Sequence, residues 1–169
     1  MSEALETTET TESAPQSRDL ATHPGVDLED YVTFRVGNQL FGIPVLRVQD
    51  ILTPDRIAPV PLAPKEVKGS INLRGRIVTV IDVRVRLGMP AREKGNQGNM
   101  GVTVEQGHDL YTLLVDDIGD VISLSKDLYE KNPGTLDPLW REFSSGVFRL
   151  EEELMVVLDI DCLLNLSEN

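Results

Sequence analysis

The sequence predicts an all-β protein with few short helices, folded as two small β-barrels or one intertwined pair. Three observations carry that prediction. Short runs rich in Val, Ile and Leu recur along the chain, and several alternate apolar and polar residues in period two. Thirteen glycines and ten prolines interrupt these runs at close intervals. Roughly nine or ten strands result, too many and too short for one open sheet. The 40% apolar content is enough for a core, and with only 5% aromatic residues that core is aliphatic.

The elements follow in order. Residues 31–36 alternate in period two, Gly37-Asn38 is a turn, and residues 39–43 return, which is a hairpin. Pro44 breaks it, and residues 45–52 continue extended into a turn over 53–56. Pro59, Pro61 and Pro64 make an irregular crossing, with one helical turn expected over 64–68 because Pro64 stands at its start. A turn bounded by Gly69 and Gly75 then feeds a strand over 77–81, and residues 82–87 form a helical turn ended by Gly88. Residues 90–99 are polar and glycine-rich, the best internal boundary.

Beyond it, residues 100–105 and 110–115 flank a turn over residues 106–109 as a second hairpin, and 118–124 is a further apolar run. Residues 138–143 read as a short helix after Pro138. A third hairpin runs over 146–150 and 154–159 around Glu151, Glu152 and Glu153, and residues 160–166 read as a terminal amphipathic helix. The expected organisation is an acidic, disordered tail over 1–28 and one domain over 29–166. That domain is expected to comprise two β-barrel subdomains, 29–90 and 99–160, either separate or exchanging strands, plus the C-terminal helix.

Charge narrows the function. The formal net charge is −12, and eight of the first thirty residues are Asp or Glu against one Arg, so much of the acidity belongs to the tail. No clustered Lys/Arg run offers a phosphate-binding face, which argues against nucleic acid and against anionic membrane surfaces. Cys162 is the only cysteine, so no internal disulfide is expected. No run approaches the roughly 18 apolar residues of a membrane span. The reading is a cytoplasmic protein without direct membrane insertion.

Catalytic constellations are not supported. His23 lies in the tail and His108 in a turn, so neither joins Cys162 with metal-ligand spacing. No glycine-flanked serine elbow and no phosphate-cradling glycine loop is present. Asp116 and Asp117 are neighbours at a strand end and should point to opposite faces. Asp159 and Asp161 flank a strand-to-helix junction, where an Asp caps the helix. Capping and solvation account for both pairs; no metal, cofactor or catalytic residue is expected.

The remaining signals concern recognition. Arg74 is either an ordinary exposed turn residue or a fixed guanidinium that pairs with a carboxylate or reads a partner. Val45, Val48, Ile51 and Leu52 are denser than one-sided alternation needs; they are core, or some of them line a groove.

Taken together these pieces resemble the CheW family, the small coupling proteins of bacterial chemotaxis. The resemblance runs from about Tyr31 to Leu166. Phe41, Gly42 and Ile43 lead to Val48 and Ile51; Val67 and Gly69 precede Ile71, Asn72, Leu73, Arg74 and Gly75, the most diagnostic piece. The strand from Ile77 to Arg84, the Val115-Asp116 pair, and Leu158-Asp159 follow in family order. Thr79 stands where the family often has Pro, Asp50 where Glu is common, and residues 134–145 with Trp140 depart from the common pattern.

The resemblance implies two packed five-stranded SH3-like β-barrels around a shared apolar region. It also implies a non-catalytic adaptor that joins the cytoplasmic tip of methyl-accepting chemoreceptors to the regulatory domain of a CheA-type histidine kinase, recruited to membrane-associated receptor arrays. The alternative is a CheW-like scaffold in a non-chemotactic receptor–kinase pathway. By resemblance, Val45, Val48, Asp50, Gly69 and Arg74 occupy receptor-binding positions. Ile57, Ala58 and Ile77 occupy a kinase-facing edge, and the loop over 124–135 touches a second kinase domain. Asp50 and Arg74 are expected to pair across the mouth of the receptor groove.

Overall fold

The computed structural model describes residues 27–90 and 100–166. The first hairpin pairs β1 (Leu28–Val36) with β2 (Gln39–Pro44). Its two-residue turn has positive φ at Gly37 alone, as a II′ hairpin requires. Pro44 then turns the chain into a single 3₁₀ turn (Val45–Arg47), where extended chain was expected, before β3 (Val48–Leu52).

The second hairpin pairs β4 (Val67–Leu73) with β5 (Arg76–Asp82). The glycine-bounded stretch read as a turn is therefore mostly strand; only Arg74-Gly75 turns. Both have positive φ, 53° and 85°, the I′ signature. The helical turn expected over 64–68 does not form: Val67 N–H closes a tight turn onto the Pro64 carbonyl, and Asp82 N–H draws Glu66 into line beside β5. The helical turn α1 (Val83–Arg86) does form, capped by the Asp82 carboxylate accepting from Arg84 N and ended by Gly88 at φ 76°.

The second half repeats the plan. A hairpin of β6 (Met100–Gln106) and β7 (Asp109–Val115) turns at Gly107. A single strand β8 (Asp117–Ser125) follows, then a 3₁₀ turn and the short β9 (Tyr129–Glu130). The helix α2 (Pro138–Phe143), capped by Asp137, leads into the hairpin β10 (Ser144–Arg149) and β11 (Leu154–Leu158). The terminal helix α3 (Ile160–Leu163), capped by Asp159, is shorter than the expected 160–166.

These eleven strands form two sheets, ordered β8-β1-β2-β11-β10-β9 and β3-β6-β7-β5-β4. The expected five-and-five is thus six-and-five, the sixth being the two-residue β9. Each half gives its first hairpin to the other half's sheet. β2 joins β11 in parallel with Leu40 opposite Met155, and β7 joins β5 in parallel with Tyr111 opposite Thr79. A cut at 90–99 therefore separates the halves of the sequence but not the sheets. Residues 91–99 of the expected linker and 1–26 of the expected tail lie outside the described residues; Leu28, placed in the tail by the sequence reading, opens β1.

Burial follows three clusters. The largest, including Phe34, Phe41, Ile81, Val102, Leu113 and Val156, lies between the sheets. A second, around Tyr31, Phe148 and Met155, lies on the other face of the six-stranded sheet, and a third, around Ile71, Val78 and Leu114, on the other face of the five-stranded one. A sheet with no second layer over one face can bury that face by curling around it. In the five-stranded sheet that curl brings the two edge strands together: past β3 the chain returns as Ala58, which bridges Ser70 on the outer edge of β4.

Candidate functional site

The curl sets the geometry of the predicted site. β3 and β4 are opposite edges of one sheet, yet Asp50 on β3 lies 2.9 Å from Arg74 in the β4–β5 turn. A guanidinium in a left-handed turn position points out from the turn, and the Asn72 side chain accepts from Gly75 N at 3.0 Å to hold the turn's shape. Arg74 remains 74% exposed and Asp50 22%. The pair contributes only ~0–1 kcal/mol to stability. It fixes the direction of the guanidinium and leaves most of it open to solvent.

Val48 and Asp50 lie on β3 with a register shift between them, and Val45 lies in the preceding 3₁₀ turn. Both valines are half-buried against the central cluster. The register places Val48, opposite Val104, on the central-cluster face of β3, and Asp50, opposite Thr103, on the other face. Leu46, between the two valines, is 88% exposed, and Ile51 is exposed too. The sequence reading passed over Leu46 because it took residues 45–52 as one extended run; the turn after Pro44 rotates this side chain outward. Leu73 is half-buried against the third cluster.

Gly69 has a different position. It is buried, and a Cβ there would stand 2.3 Å from the Ala58 carbonyl oxygen and 2.7 Å from Ile57 Cγ2. Its φ of 153° also disfavours any side chain. Gly69 therefore lets the 57–58 segment close on β4. That closure shapes a concavity lined by Arg56, Ile57, Ala58, Ser70, Asn72 and Ile77. Ile77 is 72% exposed there, large for an isoleucine on a strand. The structure so brings the three kinase-edge positions together, and next to the Asn72-to-Gly75 turn.

The carboxylates weighed as catalytic have structural partners. Asp116 receives Arg84 Nε and Nη2 at 3.2 and 3.1 Å and Gly37 N at 2.7 Å. Asp159 caps α3 by accepting from Cys162 N at 3.2 Å, as its place at the junction predicts. Asp161 pairs with Arg47 at 3.1 Å. Cys162 is exposed, and loss of hydration followed by the nearby carboxylates of Asp159, Asp161 and Glu142 pushes its thiol up, away from the thiolate form. Among the described residues no group of His, Cys, Asp and Glu is arranged to hold a metal ion, and no helix is long and apolar enough to cross a membrane.

Comparison with known proteins bears on this arrangement. The family model described as CheW-like domain matches residues 30–168. The chain is 30% identical to the chemotaxis protein CheW of Treponema pallidum over 81% of this chain and 82% of that one. It is 29% identical to the CheW of Klebsiella aerogenes over 83% and 84%. Its fold is similar to that of the scaffolding protein TtCheW from Thermoanaerobacter tengcongensis, with a TM-score of 0.75 at 25% identity over 85% of this chain and 97% of that one.

Proposed function

The chain belongs to the CheW-like family, and from that premise we propose that it is a non-catalytic adaptor joining chemoreceptor tips to a CheA-type histidine kinase. The observation that carries this reading is the Asp50–Arg74 contact across the two edges of the five-stranded sheet. It fixes an exposed guanidinium at the edge of β3, and we assign to the receptor, together with it, the partly apolar strip of Val45, Leu46, Val48 and Ile51. A receptor tip made of paired helices docks by apolar anchors in such a strip, with one charged contact to set register. Ile57, Ala58 and Ile77 form a second apolar edge, adjoining the Asn72-to-Gly75 turn and suited to the kinase regulatory domain. Two small contacts on one molecule make an adaptor, because weak contacts of under ~1,200 Å² gain strength when repeated in an array. Recruitment to a receptor array at the membrane then needs no anchor of the protein's own.

The reading is tested by pull-down of the whole protein with a kinase regulatory domain and, separately, with a receptor-tip fragment. Wild type is expected to bind both, and Arg74→Glu to bind the kinase domain alone. Retention of full receptor binding by Arg74→Glu would remove Arg74 from the receptor site. Failure of the wild type to bind either partner would overturn the adaptor reading.

A further inference from the structure

Between β3 and β4 the chain crosses as Pro59, Val60, Pro61, Leu62, Ala63 and Pro64. Ala63 N–H bonds to the Val60 carbonyl at 3.4 Å, closing a turn with Pro61 and Leu62 at its centre. Proline in the first central position and positive φ in the second define a type II turn. The second position ordinarily takes Gly or Asn, because a Cβ is disfavoured there. Here it holds Leu62, at φ 63° and 103% exposed. The leucine therefore opposes its own backbone and gains no burial. Its neighbour Val60 is also 43% exposed.

The surroundings have a definite charge. Around the crossing stand Arg56, Lys65 and Lys68 against Asp55 and Glu66. The three cations are exposed, and Glu66 is paired with Arg86 at 3.6 Å. The crossing is thus locally positive on a chain whose formal charge is −12. Three prolines hold the leucine in place before any partner arrives, which lowers the entropy lost on binding.

We infer that Leu62 is a preorganised apolar anchor for a protein partner that presents an apolar socket rimmed by carboxylates. This rests on the adaptor reading above and assigns the socket to the kinase regulatory domain. The crossing runs along the outer edge of β4 from Ala58, already in the kinase edge, to Glu66 beside Asp82. Leu62 is thus near the end of β4 remote from Arg74, some six strand residues or ~20 Å away, and outside the strip assigned to the receptor.

The test uses the full chain and measures affinity for the kinase regulatory domain and thermal midpoint together. Leu62→Gly relieves the backbone and removes the anchor. It is expected to leave the midpoint unchanged or raised, to weaken kinase-domain binding roughly tenfold or more, and to leave receptor-fragment binding as in wild type. Leu62→Asn, which also tolerates the turn, should behave alike, and added salt should weaken wild-type binding. Equal kinase affinity in wild type and Leu62→Gly would overturn the anchor and leave the adaptor reading standing. Loss of receptor-fragment binding in its place would assign the leucine to the wrong partner and overturn it as well. No kinase binding by the wild type would overturn the adaptor reading itself, and the socket with it.

Discussion

Arg84 grips Asp116 side-on through two hydrogen bonds, Nε to Oδ1 at 3.2 Å and Nη2 to Oδ2 at 3.1 Å. Arg84 belongs to α1, just after the five-stranded sheet's β5, and Asp116 to the link from β7 into the six-stranded sheet's β8. The same carboxylate receives the N–H of Gly37 in the β1–β2 turn. The other half of the chain holds the counterpart with its charges exchanged: Asp161 of α3 meets Arg47, on the link from β2 to β3, and Arg47 also donates to the Glu105 carbonyl near the β6–β7 turn. Each pair ties a helix to a link and to the opposite hairpin, so the two halves are fastened at two equivalent corners.

The corners differ in burial, and that sets their strength. Arg84 and Asp116 are 16% and 19% exposed, while Asp161 is 65% exposed. Arg84→Ala is expected to cost about 2 kcal/mol, since a mostly buried carboxylate loses its charged partner. Arg84→Lys should recover little of it, because an ammonium cannot make the side-on pair. Arg47→Ala should cost under ~1 kcal/mol. Urea midpoints of the three variants would show the order, and an equal loss at both corners would contradict it.

Tyr31 makes stability depend on alkaline pH. It is 5% exposed, and burial, with smaller contributions from Glu29 and Tyr129, pushes its phenol from 10.0 up to about 12. The fold thus favours the neutral form. The resulting stability is complete below pH ~10, the unfolded value, and is lost as the pH rises through about 12. The difference amounts to about 2–3 kcal/mol. Denaturation across that window should be flatter in Tyr31→Phe than in wild type; identical pH profiles would show that Tyr31 does not govern it.

Gly69→Ala should be costly for a local reason. The new methyl meets the Ala58 carbonyl oxygen at 2.3 Å, so backbone must yield. A loss of about 2 kcal/mol is expected, with faster hydrogen exchange at Ala58 and Ser70, whose amides bond to each other's carbonyls. Gly75→Ala, at φ 85° but in open space, should cost only about 1 kcal/mol and leave those amides protected.

Arg86 holds the C-terminal helix from outside. Its guanidinium donates to the carbonyls of Leu163, Cys162 and Asn165, and lies 4.6 Å from the centre of the Phe143 ring. The Cys162 carbonyl also accepts from Asn165 N, while those of Leu163 and Asn165 lie at and just past the helix end, where carbonyls run out of internal donors. Arg86→Ala is expected to cost about 1–3 kcal/mol and to raise hydrogen exchange selectively in α3. Uniform exchange changes across both sheets would contradict this assignment.

What the sequence made legible was local. Gly37-Asn38 and the turn over 106–109 announced their hairpins because short turns leave a fixed signature between alternating strands. Asp159 marked a helix start for the same kind of reason. Strand exchange was raised by the sequence as an alternative, but its register was not legible, since the partner of Leu40 is Met155 and no periodicity specifies so remote a neighbour. Of the candidate site, the Asp50–Arg74 pairing was expected from the family resemblance. The burial of Gly69 and the outward turn of Leu46 were not, because both depend on how the sheet curls. Asp116, weighed as a possible acid or metal ligand, acquires its meaning only when Arg84 is placed beside it.

The exchange of hairpins has a consequence for how the protein is made. On a ribosome the chain emerges N-terminus first, and β1 and β2 form among the earliest residues. The β1 edge lacks β8 until Ser125 has left the exit tunnel, and the β2 edge lacks β11 until Leu158 has. The whole second half must therefore be synthesised before the first hairpin is paired on both sides, and through that interval an apolar edge stands open to other nascent chains.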